Sequence, residues 1–290
     1  MFLLKTNNNI YYICQIYNLW FNINIDLNNL KFKMNNDILK KKYIEDKSEN
    51  RKGLHIFRMI YFNNLFIKNM YVKNNIYLNN LVKNGYCVIE NVLDEYTFNN
   101  LEKKVYNSLN SNNNDKYIIN NKKIVNLFNL INNIKKDQYS FKLNIQKYNN
   151  EYDEQRNLHS DSLFPKIKCW LYINDIDNDN GSFKYVEKST NISNNKMLKF
   201  YYNISNLDKN DPKFKNHTEY GINGKFGSPR VYINDSEKEN EILEKMDLQK
   251  PTSMNYKKNT LVIANTFGFH KRGFCKMDNQ RLMLEYILDI

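Results

Sequence analysis

Residues 158–190 read LHSDSLFPKIKCWLYINDIDNDNGSFKYVEKST. His159 and Asp161 stand two residues apart near the start of this stretch, so on an extended segment both side chains point to the same face. One imidazole and one carboxylate on one face could hold a metal ion. A surface histidine beside an aspartate is the commoner explanation of such a pair, so the pair is weak evidence without its surroundings.

A second histidine follows a distant apolar run, residues 261–264, within the segment Asn265-Thr266-Phe267-Gly268-Phe269-His270. With His159 and Asp161 it would complete a 2-His-1-carboxylate triad, the arrangement found in non-haem Fe(II) oxygenases. Arg281 follows His270 by eleven residues, at the start of the last apolar stretch. Its guanidinium could pair in bidentate fashion with the distal carboxylate of a cosubstrate. Arg272 is the rival for that role.

These motifs resemble the phytanoyl-CoA dioxygenase family. That family shows HxD, a Pro, a strand with Lys and an aromatic residue, and then an acidic turn ending in Asn-Gly. This chain carries the same residues in the same order: His159, Asp161, Pro165, Lys168, Trp170, Asp175, Asp177, Asn180 and Gly181. Residues 265–288 look like the family's second-histidine motif with its trailing Arg, and residues 81–101 are similar to its opening. The resemblance covers about 80 to 290.

The resemblance implies a mainly β fold: a double-stranded β-helix, or cupin-like jelly roll, with flanking α-helices. It implies Fe(II) held by His159, Asp161 and His270, with 2-oxoglutarate as cosubstrate. Arg281 would bind the 5-carboxylate of 2-oxoglutarate, and Trp170 would line its pocket. No catalytic residue is implied beyond the metal ligands, and ascorbate would be a supporting reductant. The chain would then be a dioxygenase that hydroxylates a C–H bond of a small-molecule or lipid-like metabolite and releases succinate and CO2.

The chain departs from the family pattern at two turns. The usual Gly-Ser-His reads Lys188-Ser189-Thr190, and a Gly common before the penultimate strand is Asn259. Both departures put local turn geometry in doubt rather than the iron site. Asp161 is retained, which argues against the related halogenases. A Trp on a central strand is also typical of core packing. The alternative function is a metal-free jelly-roll binding or scaffold protein that has lost catalysis.

Outside the motifs, short apolar runs bounded by Asn, Asp, Gly or Pro predict strands at 141–148, 167–173, 182–186, 230–233, 260–265 and 282–288. Many short strands favour a sandwich or barrel. Gly85 should end one helix before a short strand, and Asp94 should cap the next helix.

The chain divides at about residue 79. Residues 1–78 form an unassigned N-terminal extension rich in Asn and Lys, and residues 79–290 form the dioxygenase domain. Residues 188–225 interrupt the strand rhythm and are a candidate substrate loop. Tyr201, Tyr202 and Tyr220 could line a lid, although the chain has 22 tyrosines. His55 and His217 are expected to be structural or exposed.

The net charge of +12 does not indicate a nucleic-acid protein. Asn, Lys, Ile and Tyr have AT-rich codons, and the basic residues are scattered rather than clustered, so no specific nucleic-acid binding is expected. The four cysteines include no CxxC pair, which predicts reduced thiols and a cytoplasmic protein. The sequence contains no run of 18 or more apolar residues, so no transmembrane segment is expected. The oligomeric state stays open, and the expected partner is a small-molecule substrate.

Overall fold

The computed structural model describes residues 54–71, 74–109, 116–151, 153–162, 164–205, 218–220, 229–233 and 238–288. The strands are β1 (Tyr86–Ile89), β2 (Lys116–Ile119), β3 (Tyr139–Lys147), β4 (Leu158–Ser160), β5 (Ile167–Tyr172), β6 (Phe183–Tyr185), β7 (Thr218–Tyr220), β8 (Pro229–Ile233), β9 (Thr252–Ser253), β10 (Leu261–Asn265), β11 (His270–Arg272) and β12 (Gln280–Leu288). The α-helices are α1 (Leu54–Tyr71), α2 (Ile76–Asn84), α3 (Glu95–Ser108), α4 (Lys122–Asn132), α5 (Asn195–Ser205) and α6 (Glu239–Lys245).

The strands form two six-stranded sheets. The first sheet has the order β1-β10-β5-β12-β3-β2, and the second has the order β7-β8-β4-β11-β6-β9. Neighbouring strands pair antiparallel, as at the centre of the first sheet, where β12 lies between β5 and β3. The predicted mainly β fold with flanking helices is therefore confirmed, and the two sheets form a jelly-roll sandwich.

Alternation along the central strands separates the core from the site. On β5, Cys169 and Leu171 pack into a large apolar cluster with helices α2, α3 and α4. Lys168, Trp170 and Tyr172 point to the opposite face, because successive side chains of a strand alternate. Those three side chains line a cavity between the two sheets.

Two further apolar clusters complete the core. One joins the inner faces of the two sheets and contains Trp170, Tyr172, Phe183, Tyr185, Val262 and Met283 among others. The other covers the second sheet with helices α1, α5 and α6 and contains residues such as Met59, Leu158, Leu198, Leu243 and Phe269. The space between the sheets is thus walled by packed side chains, apart from the cavity described below.

The predicted helix boundaries before and after β1 are confirmed. Gly85 has φ 88° and its N–H donates to the carbonyl of Leu81, which ends α2. A left-handed residue at this position favours glycine. The carboxylate of Asp94 accepts a hydrogen bond from the N–H of Thr97 and caps α3. All six predicted strands are present, with boundaries shifted by up to two residues.

The candidate substrate loop is only partly irregular. Helix α5 lies within it and buries Met197, Leu198 and Tyr201 in the cluster that covers the second sheet. Tyr201 stacks on Phe267 and Phe269 and is therefore a core residue. Of the other two lid candidates, Tyr202 packs half-buried against that same cluster, and nothing is described of the side chain of Tyr220.

Helix α1 belongs to the predicted N-terminal extension and packs against the two β-sheets through the apolar clusters. Its Ile56, Met59 and Ile60 join the cluster over the second sheet, whereas Phe66 and Met70 join the cluster behind the first sheet. The boundary at residue 79 stays a prediction. None of the helices in the described residues combines the length and apolarity needed to cross a bilayer.

Candidate metal centre

Strand register brings the two predicted histidines together. β11 pairs with β4 so that His270 lies directly opposite His159, and their ring centroids are 4.3 Å apart. Asp161 lies just after β4, where its N–H donates to the carbonyl of Thr266 at 2.9 Å. This bond ties the turn after β4 to the segment that leads into β11. Pairing of two strands distant in sequence therefore builds the cluster.

The three side chains form a buried metal-sized group. The Nε2 atom of His159 is 3.8 Å from Oδ1 of Asp161, and Nε2 of His270 is 3.7 Å from Oδ2. One donor atom from each residue lies within 4.8 Å of the others. The predicted juxtaposition of these residues is present, and their role as ligands stays a prediction.

Both imidazoles are oriented by a backbone carbonyl two residues earlier. Nδ1 of His159 donates to the carbonyl of Asn157 at 2.7 Å, and Nδ1 of His270 donates to the carbonyl of Gly268 at 2.8 Å. A carbonyl can only accept, so each Nδ1 carries a proton, and in the neutral imidazole the Nε2 atom offers its lone pair to the cluster. Such fixing of the tautomer is typical of metal-binding histidines.

The electrostatics of the cluster favour a cation. Burial, reinforced by His159, lowers the pKa of His270 to about 3, so its imidazole is neutral at physiological pH. Burial alone would raise the pKa of Asp161, but Lys168 and the two histidines outweigh it and hold that pKa well below its usual value. Two imidazoles and one carboxylate form the donor set, and no thiolate is present among the described residues of the cluster. This set fits Fe(II) better than structural zinc.

Lys168 reaches the cluster from the opposite sheet. Its Nζ lies 2.6 Å from Oδ2 of Asp161, and both side chains are largely buried. In the sequence Lys168 stands out only as part of the motif, which predicts no role for it at the site. The alternation of β5, which places Lys168 on the same face as Trp170, was the available signal.

Arg281 is a buried cation with no carboxylate counter-ion among the described residues. It is 3% exposed, its Nη1 donates to the carbonyl of Gly181 at 2.5 Å, and its Nε is buried without a hydrogen-bond partner. No described carboxylate lies within 4.0 Å of its guanidinium nitrogens. Burial lowers its pKa to about 10, which leaves the group charged at neutral pH.

Gly181 is needed where Arg281 docks. Its φ is 78°, and a Cβ there would lie 2.9 Å from the carbonyl oxygen of Gly273. Both the backbone conformation and the space therefore exclude larger residues. The Asn-Gly turn of the motif thus has a physical purpose: it presents a carbonyl to the guanidinium.

Tyr172 adds a second unsatisfied polar group to the same cavity. Its hydroxyl is buried without a hydrogen-bond partner, and burial raises its pKa above the usual value. Tyr172 and Arg281 both line the cavity that His159 and His270 line. A buried guanidinium nitrogen and a buried hydroxyl without hydrogen-bond partners among the described residues are suited to a ligand carboxylate. Tyr172 was missed from the sequence because tyrosine is so common in this chain.

The rival arginine is already paired. Nη1 of Arg272 lies 3.1 Å from Oδ2 of Asp153, and its side chain is about one third exposed. Arg281, which has no such partner, is therefore the better candidate for a cosubstrate carboxylate.

Trp170 lines the cavity and also packs in the core. Its ring centroid lies 4.7 Å from that of Phe183, and its Nε1 donates to Oε1 of Glu285 at 3.2 Å. The other oxygen of Glu285 accepts from Nδ2 of Asn144 at 2.9 Å. The position of Trp170 is consistent with both expected roles, as a wall of the pocket and as a core residue.

The two departures from the family pattern sit in well-formed turns. Asn259 has φ 62°, and its side chain exchanges two hydrogen bonds with the backbone of Leu93. Lys188 has φ 61°, and the hydroxyl of neighbouring Ser189 accepts from the N–H of Phe269. Asn tolerates the left-handed region better than most residues. Of the remaining histidines, His217 lies outside the described residues, and nothing is described of the side chain of His55.

Sequence comparison does not assign the chain: no family model and no curated protein matches it. Several solved structures have a similar fold. The epimerase SnoN, in complex with Fe3+, alpha ketoglutarate and nogalamycin RO, is 11% identical; the match covers 72% of this chain and 80% of SnoN with a TM-score of 0.42. The carbocyclase SnoK from nogalamycin biosynthesis, described as non-heme and alpha ketoglutarate dependent, is 10% identical over 74% of this chain and 84% of SnoK, with a TM-score of 0.43.

HygX from Streptomyces hygroscopicus, with nickel and 2-oxoglutarate bound, is 11% identical; the match covers 73% of this chain and 85% of HygX with a TM-score of 0.37. At these identities and TM-scores the likeness carries no argument about the chemistry of this chain. That chemistry has to be argued from its own residues.

Proposed function

We propose that this chain is an Fe(II)- and 2-oxoglutarate-dependent oxygenase of the phytanoyl-CoA dioxygenase type, which hydroxylates a small-molecule or lipid-like metabolite. The observation that carries the proposal is a single cavity. It is lined by two histidines of a metal-sized cluster and by Arg281, a buried guanidinium for which the described part of the chain provides no counter-ion. A cosubstrate that chelates a metal through one end and carries a carboxylate at the other end needs both features.

Each residue has a distinct task in this proposal. His159, Asp161 and His270 hold the metal and leave positions for other ligands. Arg281 and Tyr172 bind and orient the distal carboxylate of 2-oxoglutarate, and Trp170 forms a wall of the pocket. Bound Fe(II) and 2-oxoglutarate supply the oxidising chemistry, in which O2 and 2-oxoglutarate are converted to succinate and CO2 as the substrate is oxidised. The inner apolar cluster packs beside this region.

The state of the described cysteines bears on the cellular compartment. Cys87, Cys169 and Cys275 are free and buried, which supports a reducing, cytoplasmic environment as part of the proposal.

The test is the conversion of 2-oxoglutarate to succinate by purified protein with Fe(II), ascorbate and candidate substrates. We expect Asp161→Ala to reduce succinate formation at least a hundredfold, because the triad loses its only carboxylate. Glu244→Ala, which removes an exposed carboxylate from α6, is the matched control and should keep full turnover. Full turnover by Asp161→Ala would show that the triad assignment is wrong.

One observation favours a second function, a metal-free binding protein. The ammonium group of Lys168 already compensates the charge of Asp161 at 2.6 Å, so the cluster does not depend on a metal for charge balance. Titration with Mn(II), followed by electron paramagnetic resonance, separates the two. Stoichiometric binding that is lost in Asp161→Ala excludes the metal-free alternative, and no binding by folded wild-type protein excludes the oxygenase.

A further inference from the structure

A polar cleft adjoins the metal centre. It has a volume of about 530 Å³, against about 60 Å³ for the inner cavity, and the two share Gln155 and Arg272 as lining residues. A volume of several hundred Å³ is the usual size of a small-molecule site. The cleft is therefore wide enough for a substrate whose reacting end enters the inner cavity.

The inner part of the cleft has a surplus of positive charge. Arg156 and Arg272 share a single carboxylate, since Oδ2 of Asp153 lies 3.1 Å from Nη1 of Arg272 and 4.0 Å from Nε of Arg156. Nε of Arg156 is buried without a hydrogen-bond partner. The other charged residues of the cleft, Lys147 and Glu154, are exposed and have opposite signs.

An aromatic wall stands beside this charge. The guanidinium of Arg156 lies 4.8 Å from the ring centroid of Phe274, and Tyr148 meets the same ring edge-on at 5.8 Å. Phe274 is 47% exposed. The stacked ring restricts the orientation of Arg156, and it offers an apolar surface next to the charged group.

Arg272 also fixes how far the charge lies from the metal centre. It follows His270 by two residues on β11, so both side chains lie on one face with Cα atoms about 7 Å apart. A group held by Arg272 is therefore only a few carbon atoms away from anything bound at His270.

We propose that this cleft is the substrate site and that the substrate is a small organic anion. Its carboxylate or phosphate group is held by Arg156 and Arg272, and a carbon a few bonds away lies at the metal centre. Guanidinium groups bind both kinds of oxyanion through paired hydrogen bonds. This inference rests on the proposed function, because it takes the metal centre as the reacting end.

The experiment is calorimetric titration of protein loaded with Mn(II) and N-oxalylglycine, which occupies the 2-oxoglutarate pocket and keeps the probes out of it. The probes are butyrate, butyl phosphate, butan-1-ol and butylamine, matched in length. We expect at least one anion to bind tenfold more tightly than the alcohol and the amine. The preferred anion then shows whether the natural group is a carboxylate or a phosphate.

Variants locate the binding. Arg156→Gln and Arg272→Gln should each weaken the preferred anion at least tenfold, and Arg272→Lys should restore part of the loss. Lys103→Gln removes a positive charge from the exposed face of α3 and should change the affinity less than twofold. Circular dichroism melting confirms that each variant is folded.

Several results overturn the inference. The first is binding of the alcohol or the amine as tight as that of the better anion. The second is no binding of either anion at millimolar concentration. The third is an affinity for the preferred anion that is unchanged in both glutamine variants. If N-oxalylglycine binds in a metal-dependent manner while any of these occurs, the inference fails and the proposed function stands. If N-oxalylglycine does not bind, the proposed function fails and the inference falls with it.

Discussion

Asp161 and Arg281 are both buried, charged and placed beside one cavity, yet they differ in how their charge is compensated. Asp161 has the ammonium of Lys168 at 2.6 Å. Arg281 has the carbonyl of Gly181 and no described carboxylate within 4.0 Å. Burying an ion without a counter-charge is costly. Asp161 therefore has a counter-charge within the protein, whereas in the proposed function the counter-charge of Arg281 is the carboxylate of a ligand.

Lys168→Met removes the counter-charge of Asp161, and we expect it to change stability more than any other variant considered. Removing one partner of a buried pair leaves an unpaired charge and costs about 3 to 5 kcal/mol. We expect the melting temperature of the metal-free protein to fall markedly, and added Mn(II) to raise it more than in wild type, because the metal replaces the lost charge.

Lys196→Met is the matched control for that variant. It removes the lysine of an ion pair with Asp247 in which both side chains are more than half exposed. Such pairs contribute little, so its melting temperature should stay close to that of wild type. An equally small effect of Lys168→Met would mean that the buried pair is not what stabilises Asp161.

Arg281→Gln removes the buried positive charge that has no described carboxylate beside it. Hydrogen bonds to charged groups are worth about 1.5 to 3 kcal/mol, so the KM for 2-oxoglutarate should rise roughly 10- to 100-fold. The melting temperature of the ligand-free protein should stay the same or increase, because an unpaired buried charge is removed. Succinate formation and thermal melting measure the two effects.

Arg272→Gln is the comparison for this prediction, since Arg272 is the arginine that is already paired. Its KM for 2-oxoglutarate should change less than threefold. A larger rise for Arg272→Gln than for Arg281→Gln would reverse the roles of the two arginines.

Tyr172→Phe should give the smallest effect. It removes one neutral hydroxyl beside Arg281, and a typical hydrogen bond is worth about 0.5 to 1.5 kcal/mol. We expect the dissociation constant of 2-oxoglutarate to rise roughly 2- to 10-fold in calorimetry. Tyr139→Phe, whose hydroxyl bonds Asn129 on the far side of the first sheet, should leave it unchanged. No difference between the two variants would remove Tyr172 from the pocket.

The sequence was most informative where chemistry and alternation agree. The spacing of His159 and Asp161 predicted a shared face, and the strand register places His270 opposite His159. The central strands β5, β10 and β12 were found because their apolar runs are bounded by turn residues. Gly85 and Asp94 were found because a left-handed stop and a side-chain cap leave local signals.

What the sequence did not reveal depends on contacts between distant segments. β4 and β11 are three residues each, too short to give a periodic signal. The pairing of Lys168 with Asp161 and that of Arg272 with Asp153 arise only when the strands meet. Helix α5 was overlooked within a polar insertion, although Met197, Leu198 and Tyr201 follow helical spacing.

In the proposed function, one molecule of 2-oxoglutarate contacts both the metal centre and Arg281. Calorimetric titration of 2-oxoglutarate into wild-type protein, with and without Mn(II), tests it most directly. We expect one binding site per chain, with an affinity that falls at least tenfold when the metal is omitted. Equal affinity with and without Mn(II), or no binding in either case, would contradict it.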